Sequence, residues 1–276
     1  MSRIGQTFDR LKAAGRTALV PYITAGDPHP DYTVEMMHAL VEAGADMLEL
    51  GVPFSDPMAD GPVIQKATER ALAHGTSLAQ VLEMVEQFRQ RDDATPVILM
   101  GYANPIEAMG YVPFAVRARE VGVDGVLTVD IPPEEAEDGY YEALASEGLD
   151  RVFLAAPTTP VSRLAQIERL GSGFVYYVSL KGVTGADQLD AEDVATHVAQ
   201  LREHVSLPVG IGFGIRNGER AEAMARLGDA VIVGSALVNE IEAVWHADKA
   251  AVIERLRAAM APFRAGVDRA DKEKQA

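Results

Sequence analysis

Eight short runs of apolar, β-favouring residues recur along the chain with almost no polar residue alternating through them, as in PVILMG, GVLTV and AVIVGS. A strand with one face in water alternates polar and apolar residues, whereas a strand covered on both faces, as in a parallel sheet, reads as a continuous apolar run. The eight candidates are Ala18–Thr24, Met47–Gly51, Pro96–Gly101, Gly125–Asp130, Arg151–Ala155, Phe174–Ser179, Pro208–Gly212 and Ala230–Gly234. Between them lie stretches of helical periodicity. Some have recognisable starts, at Asp31, at Thr76 or Ser77 and at Asn217, and several end at a glycine suited to a left-handed cap, Gly44, Gly122, Gly148 and Gly228. Strand and helix alternating eight times predict an α/β fold, a closed (β/α)8 TIM barrel first and an open doubly wound sheet second.

The length of 276 residues fits one such barrel. No shift in composition marks an internal boundary, so residues 1–265 are expected to form one barrel domain, with the charged 266–276 segment (GVDRADKEKQA) a frayed tail. A net charge of −16 repels nucleic acid and anionic lipid. An anionic substrate would need local donors such as backbone N–H groups working against that field. There is no cysteine, which removes disulfides, thiolate metal sites and a cysteine nucleophile. The six histidines lack ligand spacing, so no metal is expected. No apolar run approaches the roughly 18 residues that span a bilayer, and no leader is evident, so a cytoplasmic location is the expectation.

Three features could carry chemistry. Glu49 sits inside the apolar run Met47-Leu48-Glu49-Leu50, near the end of the second strand. A buried carboxylate there is a structural ion pair, a misassigned exposed residue, or an acid/base whose pKa burial raises toward neutrality. Asp60 follows eleven positions later in GVPFSDPMADGPVIQ, where Gly61-Pro62 reads as a helix entry. Asp56 and Asp60 are turn-formers or caps on the plain reading; alternatively Asp60 is a second carboxylate over the same barrel mouth. Three glycine-rich stretches, 182–185, 210–214 and 234–235, follow the sixth, seventh and eighth strands. That is where barrels often bind phosphate, although each could simply close a turn. The loops 52–61 and 180–190 are long and lie on the C-terminal face. Lys181 reads as a loop lysine, the Schiff-base alternative requiring it to lie on the strand.

The stretches RIGQTFDRLKAAGRTALVPYITAGDP, ADMLELGVPFSDPMADGPVIQ, PVILMGYANPI, GVLTVDIPPEE, FVYYVSLKGVTG, PVGIGFGI and VIVGSA closely resemble the tryptophan synthase α-subunit family, from Arg3 to about Ile241. The ELGVPFSDPMADGP segment is the most specific part. The resemblance implies a TIM barrel with extra N-terminal and loop helices. It also implies a carbon–carbon lyase that splits indole-3-glycerol phosphate by retro-aldol cleavage into indole and glyceraldehyde 3-phosphate. It makes Glu49 the acid/base and Asp60 the partner of the indole nitrogen. Tyr22, Met100, Leu127, Phe153, Tyr176 and Phe213 would wall the indole, Gly185, Gly214, Gly234 and Ser235 would hold the phosphate, and Thr184 would also bind the substrate. Tyr22, Met100, Val129 and Leu180 depart from the Phe, Leu, Ala and Arg of other members, which bears on pocket shape. The resemblance further implies an α2β2 assembly with a pyridoxal-phosphate-carrying β subunit that receives indole through a tunnel. It implies no cofactor on this chain, and a partner face around Asp56, Pro57, Asn104 and Asp130. The rivals are a Schiff-base aldolase or isomerase using Lys181 and a non-catalytic scaffold that only activates its partner.

Overall fold

The computed structural model describes residues 2–178, 191–212 and 214–275. Nine strands form one sheet: β1 Ala18–Thr24, β2 Leu48–Gly51, β3 Val97–Gly101, β4 Gly125–Thr128, β5 Asp150–Arg151, β6 Phe153–Ala155, β7 Val175–Val178, β8 Val209–Gly212 and β9 Ala230–Val233. Every adjacent pair is parallel, in the order β5-β4-β3-β2-β1-β9-β8-β7-β6. The two ends of that order are consecutive pieces of one stretch, interrupted only at Val152, whose N–H donates to the Val126 carbonyl at 3.0 Å. The expected fifth strand, 151–155, is therefore the seam of the ring, pairing with β4 through its first half and with β7 through its second. This is a nearly closed (β/α)8 barrel.

Twelve α-helices occur among the described residues: α1 Arg3–Ala13, α2 Thr33–Glu42, α3 Pro62–Ala73, α4 Leu78–Arg89, α5 Ala103–Met109, α6 Tyr111–Val121, α7 Tyr140–Ser146, α8 Val161–Leu170, α9 Ala191–Arg202, α10 Gly218–Ala225, α11 Ser235–Glu242 and α12 Lys249–Lys274. None is long and apolar enough to cross a membrane. Side chains on each strand alternate between two apolar layers. Leu19, Leu48, Leu99, Val126, Tyr177, Ile211 and Val231 pack outward against the helices. Ala18, Val20, Met47, Ile98, Leu127, Val152, Phe174 and Ile232 fill the barrel, and Ile4, Phe8 and Leu11 of α1 pack with them. Helix α1 thus plugs the N-terminal end. Gly125 makes the space, because a Cβ there would lie 2.9 Å from Ile4 Cδ1. With that end filled, the open end of the ring is the C-terminal face.

Ser77 caps α4 with a reciprocal box to Gln80, and Asn217 Oδ1 accepts from Arg220 N–H at the start of α10. Asp31 is not a cap. It lies in a 3-10 turn, Pro30–Tyr32, capped by His29 Nδ1, and α2 starts only at Thr33. Gly44, Gly122 and Gly148 adopt left-handed φ of 99°, 90° and 69°. Gly228 does not. Its lack of a side chain is needed because a Cβ would press against Ile211 at 2.9 Å.

The expected fraying from residue 266 is not what the structure shows, because α12 continues to Lys274. Asp271 is buried and accepts from Thr17 N–H (3.0 Å) and Thr17 Oγ1 (2.7 Å), while Lys274 Nζ donates to Thr17 Oγ1 at 2.9 Å. The charges of this segment anchor it to the start of β1 instead of loosening it.

Candidate active site

Tyr22 on β1 pairs in register with Glu49 on β2, and Gly51 pairs with Met100, which pairs with Leu127. Parallel partners in register share a face, so Tyr22 and Glu49 project together toward the barrel mouth, with Met100 beside them. Glu49 is 3% exposed, and its Oε1 has no hydrogen-bond partner among the described residues. Burial, reinforced by the negative charge of Asp60, pushes its pKa up to about 8. Among the described residues Glu49 has no ion-pair partner, and it is not exposed.

Asp60 reaches the same space from the loop ahead of α3. Gly61 is the N-cap of that helix, so Asp60 does not cap it. Its Oδ2 accepts a 2.9 Å hydrogen bond from Tyr102 Oη, and its carbonyl accepts from Gln65 Nε2 at 2.8 Å. Burial raises the Asp60 carboxyl above its ordinary value, and the Tyr102 hydrogen bond opposes the rise. The two acids therefore have unlike surroundings, one buried with an oxygen that no described residue hydrogen-bonds, the other held by a phenol. Burial first, and then the charges of both Glu49 and Asp60, push the phenols of Tyr22 and Tyr176 well up. These four groups thus lie within electrostatic reach of one another around one space.

Two glycines leave room for the phenols. A Cβ on Gly51 would lie 2.1 Å from Tyr22 Oη, and one on Gly212 would lie 2.3 Å from Tyr176 Oη. Tyr22 Oη also shares a 3.1 Å hydrogen bond with Thr24 Oγ1. Its ring packs with Ile64 and Ala67 of α3 and Val238 of α11, so the helix behind Asp60 and the helix behind Gly234 meet over one side chain. Gly234 leads from β9 into α11, and a Cβ there would stand 3.6 Å from Tyr22 Cβ. The amides of Ser235 and Ala236 open that helix and have no acceptor within it, which leaves donors for an anion. Gly214 has a left-handed φ of 68°. Thr184, Gly185, Lys181, Leu180 and Phe213 lie outside the described residues, as does the 180–190 loop.

Phe153 is not in this pocket. Strand alternation turns it outward, where its ring lies 5.1 Å from that of Tyr141 on α7, and Leu154 faces the barrel interior beside its register partner Tyr176. Leu127 and Met100 are on the interior side. Of the candidate partner-face residues, Asp56 accepts from Ser55 Oγ at 2.6 Å, as a turn-former does, and Asp130 Oδ1 accepts from Ala103 N–H at 2.8 Å, at the start of α5. Asp56, Asn104 and Asp130 are exposed and Pro57 half-exposed. Beside them Phe54, Pro57 and Met58 line a groove against Thr68 and Leu72 of α3, with Met58 84% exposed. Among the described residues no cluster of His, Cys, Asp and Glu could hold a metal.

Sequence reasoning missed Tyr102, Gly51 and Leu154. Tyr102 had a legible signal: it is the polar aromatic residue directly after an apolar strand, on the face where barrels place their sites.

A family model described as Tryptophan synthase alpha chain matches residues 8–268. The tryptophan synthase alpha chain of Hydrogenovibrio crunogenus is 63% identical over 273 residues, 99% of this chain and all of the relative. That of Laribacter hongkongensis is 62% identical over 268 residues, 97% of this chain and all of the relative. Among solved structures, tryptophan synthase subunit alpha from Legionella pneumophila str. Paris superposes with a TM-score of 0.91 at 47% identity, covering 98% of this chain and 99% of that one. A chain of the aminoacrylate-bound tryptophan synthase of M. tuberculosis gives 0.84 at 36% identity, with 97% and 100% covered.

Proposed function

The chain belongs to the tryptophan synthase alpha chain family, and from that premise we propose which residues carry the family's lyase reaction, the cleavage of indole-3-glycerol phosphate to indole and glyceraldehyde 3-phosphate. Glu49 is the acid/base and Asp60 the electrostatic partner of the indole ring. The observation that carries this is the buried carboxyl of Glu49, raised to about 8, in the field of Asp60.

At neutral pH Glu49 is mostly protonated and delivers its proton to indole C3, which makes the ring an electron acceptor. Asp60, kept nearer its charged form by Tyr102, faces the ring N–H and stabilises the positive charge that appears there. Glu49, now a desolvated carboxylate, takes the proton of the C3′ hydroxyl. The C3–C3′ bond breaks, its electrons return to the ring, and the aldehyde leaves. Glu49 ends protonated, as it began. Tyr22, Met100, Leu127 and Tyr176 wall the indole, with Leu154 in the place expected of Phe153. Gly214, Gly234, Ser235 and the N-terminus of α11 hold the phosphate; by resemblance Gly185 joins them, Phe213 joins the indole wall and Thr184 contacts the substrate.

Family membership implies a β-subunit partner. We place its docking face at Asp56, Pro57, Asn104 and Asp130, supported by the exposed Met58 and its groove. In this reading the assembly is α2β2, pyridoxal phosphate sits on the β subunit, this chain carries no cofactor, and indole is channelled between subunits in the cytoplasm. Residues 1–265 are read as one barrel domain with the end of α12 packed on it.

The test measures indole release by the purified chain, alone and with a β subunit. Glu49→Gln and Asp60→Asn should each lower kcat by roughly 10²–10⁴-fold while KM changes little, and wild-type turnover should fall as pH rises through about 8. Turnover by Glu49→Gln near the wild-type rate overturns the assignment.

A further inference from the structure

A carboxylate on a loop is a poor electrostatic partner unless something fixes its orientation, because an exposed Asp rotates freely between solvated rotamers. Asp60 lies on such a loop, between Pro57 and Gly61-Pro62. The group that holds it belongs to another element. Tyr102 follows β3 directly and is 3% exposed. Its hydroxyl makes two contacts with the Asp60 loop, to Asp60 Oδ2 at 2.9 Å and to Ala59 N–H at 3.1 Å, and its ring packs 5.3 Å from Phe54 of the same loop.

The proton of this hydroxyl can be assigned. The Ala59 N–H can only donate, so it takes a lone pair of Tyr102 Oη, and the phenol proton is left for Asp60 Oδ2. Burial and the Asp60 charge both hold the Tyr102 phenol well above its ordinary range, so the proton stays there. Among the described residues nothing donates to the other oxygen, Oδ1, and Asp60 is only partly covered. The result is a carboxylate fixed through one oxygen with the second left for a ligand.

We propose that Tyr102 is a positioning residue that orients Asp60 through Oδ2, so that Oδ1 meets the ring N–H of the substrate, and that it ties the Asp60 loop to the end of β3. This rests on the role given to Asp60 above. Tyr102 thereby makes Asp60 effective, and the two carboxylate oxygens are divided between protein and substrate.

The experiment compares wild type, Tyr102→Phe, the chain with 3-fluorotyrosine incorporated at position 102, and Asp60→Asn, each assayed with its β subunit across pH. Removing a hydrogen bond to a charged group should lower kcat of Tyr102→Phe by roughly ten- to a hundredfold, with KM within about threefold. The acid limb of its kcat profile should move to higher pH, because Asp60 has lost the donor that favoured its charged form. The fluorinated phenol, a stronger donor of nearly the same shape, should move that limb to lower pH, so the test stands even if the Phe variant folds poorly. An acid limb that stays put in both variants, with or without a loss of kcat, reduces Tyr102 to structural packing and overturns the proposal. A wild-type kcat in Tyr102→Phe overturns it too. Retention of turnover by Asp60→Asn points elsewhere: it means that Asp60 itself was misassigned.

Discussion

Glu49 and Asp60 are chemically alike, and their surroundings make them different. Glu49 stands among apolar strand residues with one oxygen unpartnered, an arrangement that favours a neutral carboxylic acid. Asp60 faces a phenol donor that offsets part of the same desolvation. Packing around them is equally specific. Gly51 is not a hinge: it is small because Tyr22 lies across it. Gly51→Ala should therefore destabilise the chain by about 1–3 kcal/mol through overpacking, measured by urea denaturation. In a Tyr22→Leu background most of that cost should vanish, since the ring that collides is gone. Equal costs in both backgrounds would show that the Tyr22 contact does not constrain Gly51.

Among the elements, α12 illustrates how sequence patterns mislead. The segment 266–276 reads as a charged tail, yet Gly266, Val267, Ala270 and Asp271 fall on the buried side, and the Asp is consumed by Thr17. Asp271→Ala should lower stability by about 1–3 kcal/mol because it strands the Thr17 N–H, with Asp271→Asn costing less; an unchanged urea midpoint for Asp271→Ala would mean that the latch contributes nothing. The strands were legible because fully covered strands leave unbroken apolar runs, and their observed ends differ from the expected ones by a residue or two where pairing stops. The split between β5 and β6 was not legible, since nothing local to Val152 marks the seam of a ring. Glu49 stood out as the only charge in its strand. Phe153 was placed by resemblance against its own alternation, in which Val152 and Leu154 face inward. Tyr102 escaped because its importance depends on a partner 42 positions away in sequence.

At the scale of the whole molecule, closure of the ring makes these local features into a site. It brings the ends of β1, β2, β3 and β9 to one mouth, packs α3 and α11 over Tyr22, and plugs the opposite end with α1. In the proposed reading, a chain of net charge −16 accepts an anionic substrate through the amides that open a helix. The mouth then holds two coupled acids, Glu49 neutral at neutral pH and Asp60 held by Tyr102. The most direct measurement is the titration of Glu49 followed by carbon-13 NMR of labelled glutamate, assigned by its absence in Glu49→Gln. Proton loss is expected near pH 8, and at a lower value in Asp60→Asn, because removing that negative charge relieves the repulsion that favours the neutral form. Titration of Glu49 near the ordinary value of 4.5, unmoved by Asp60→Asn, would contradict this expectation.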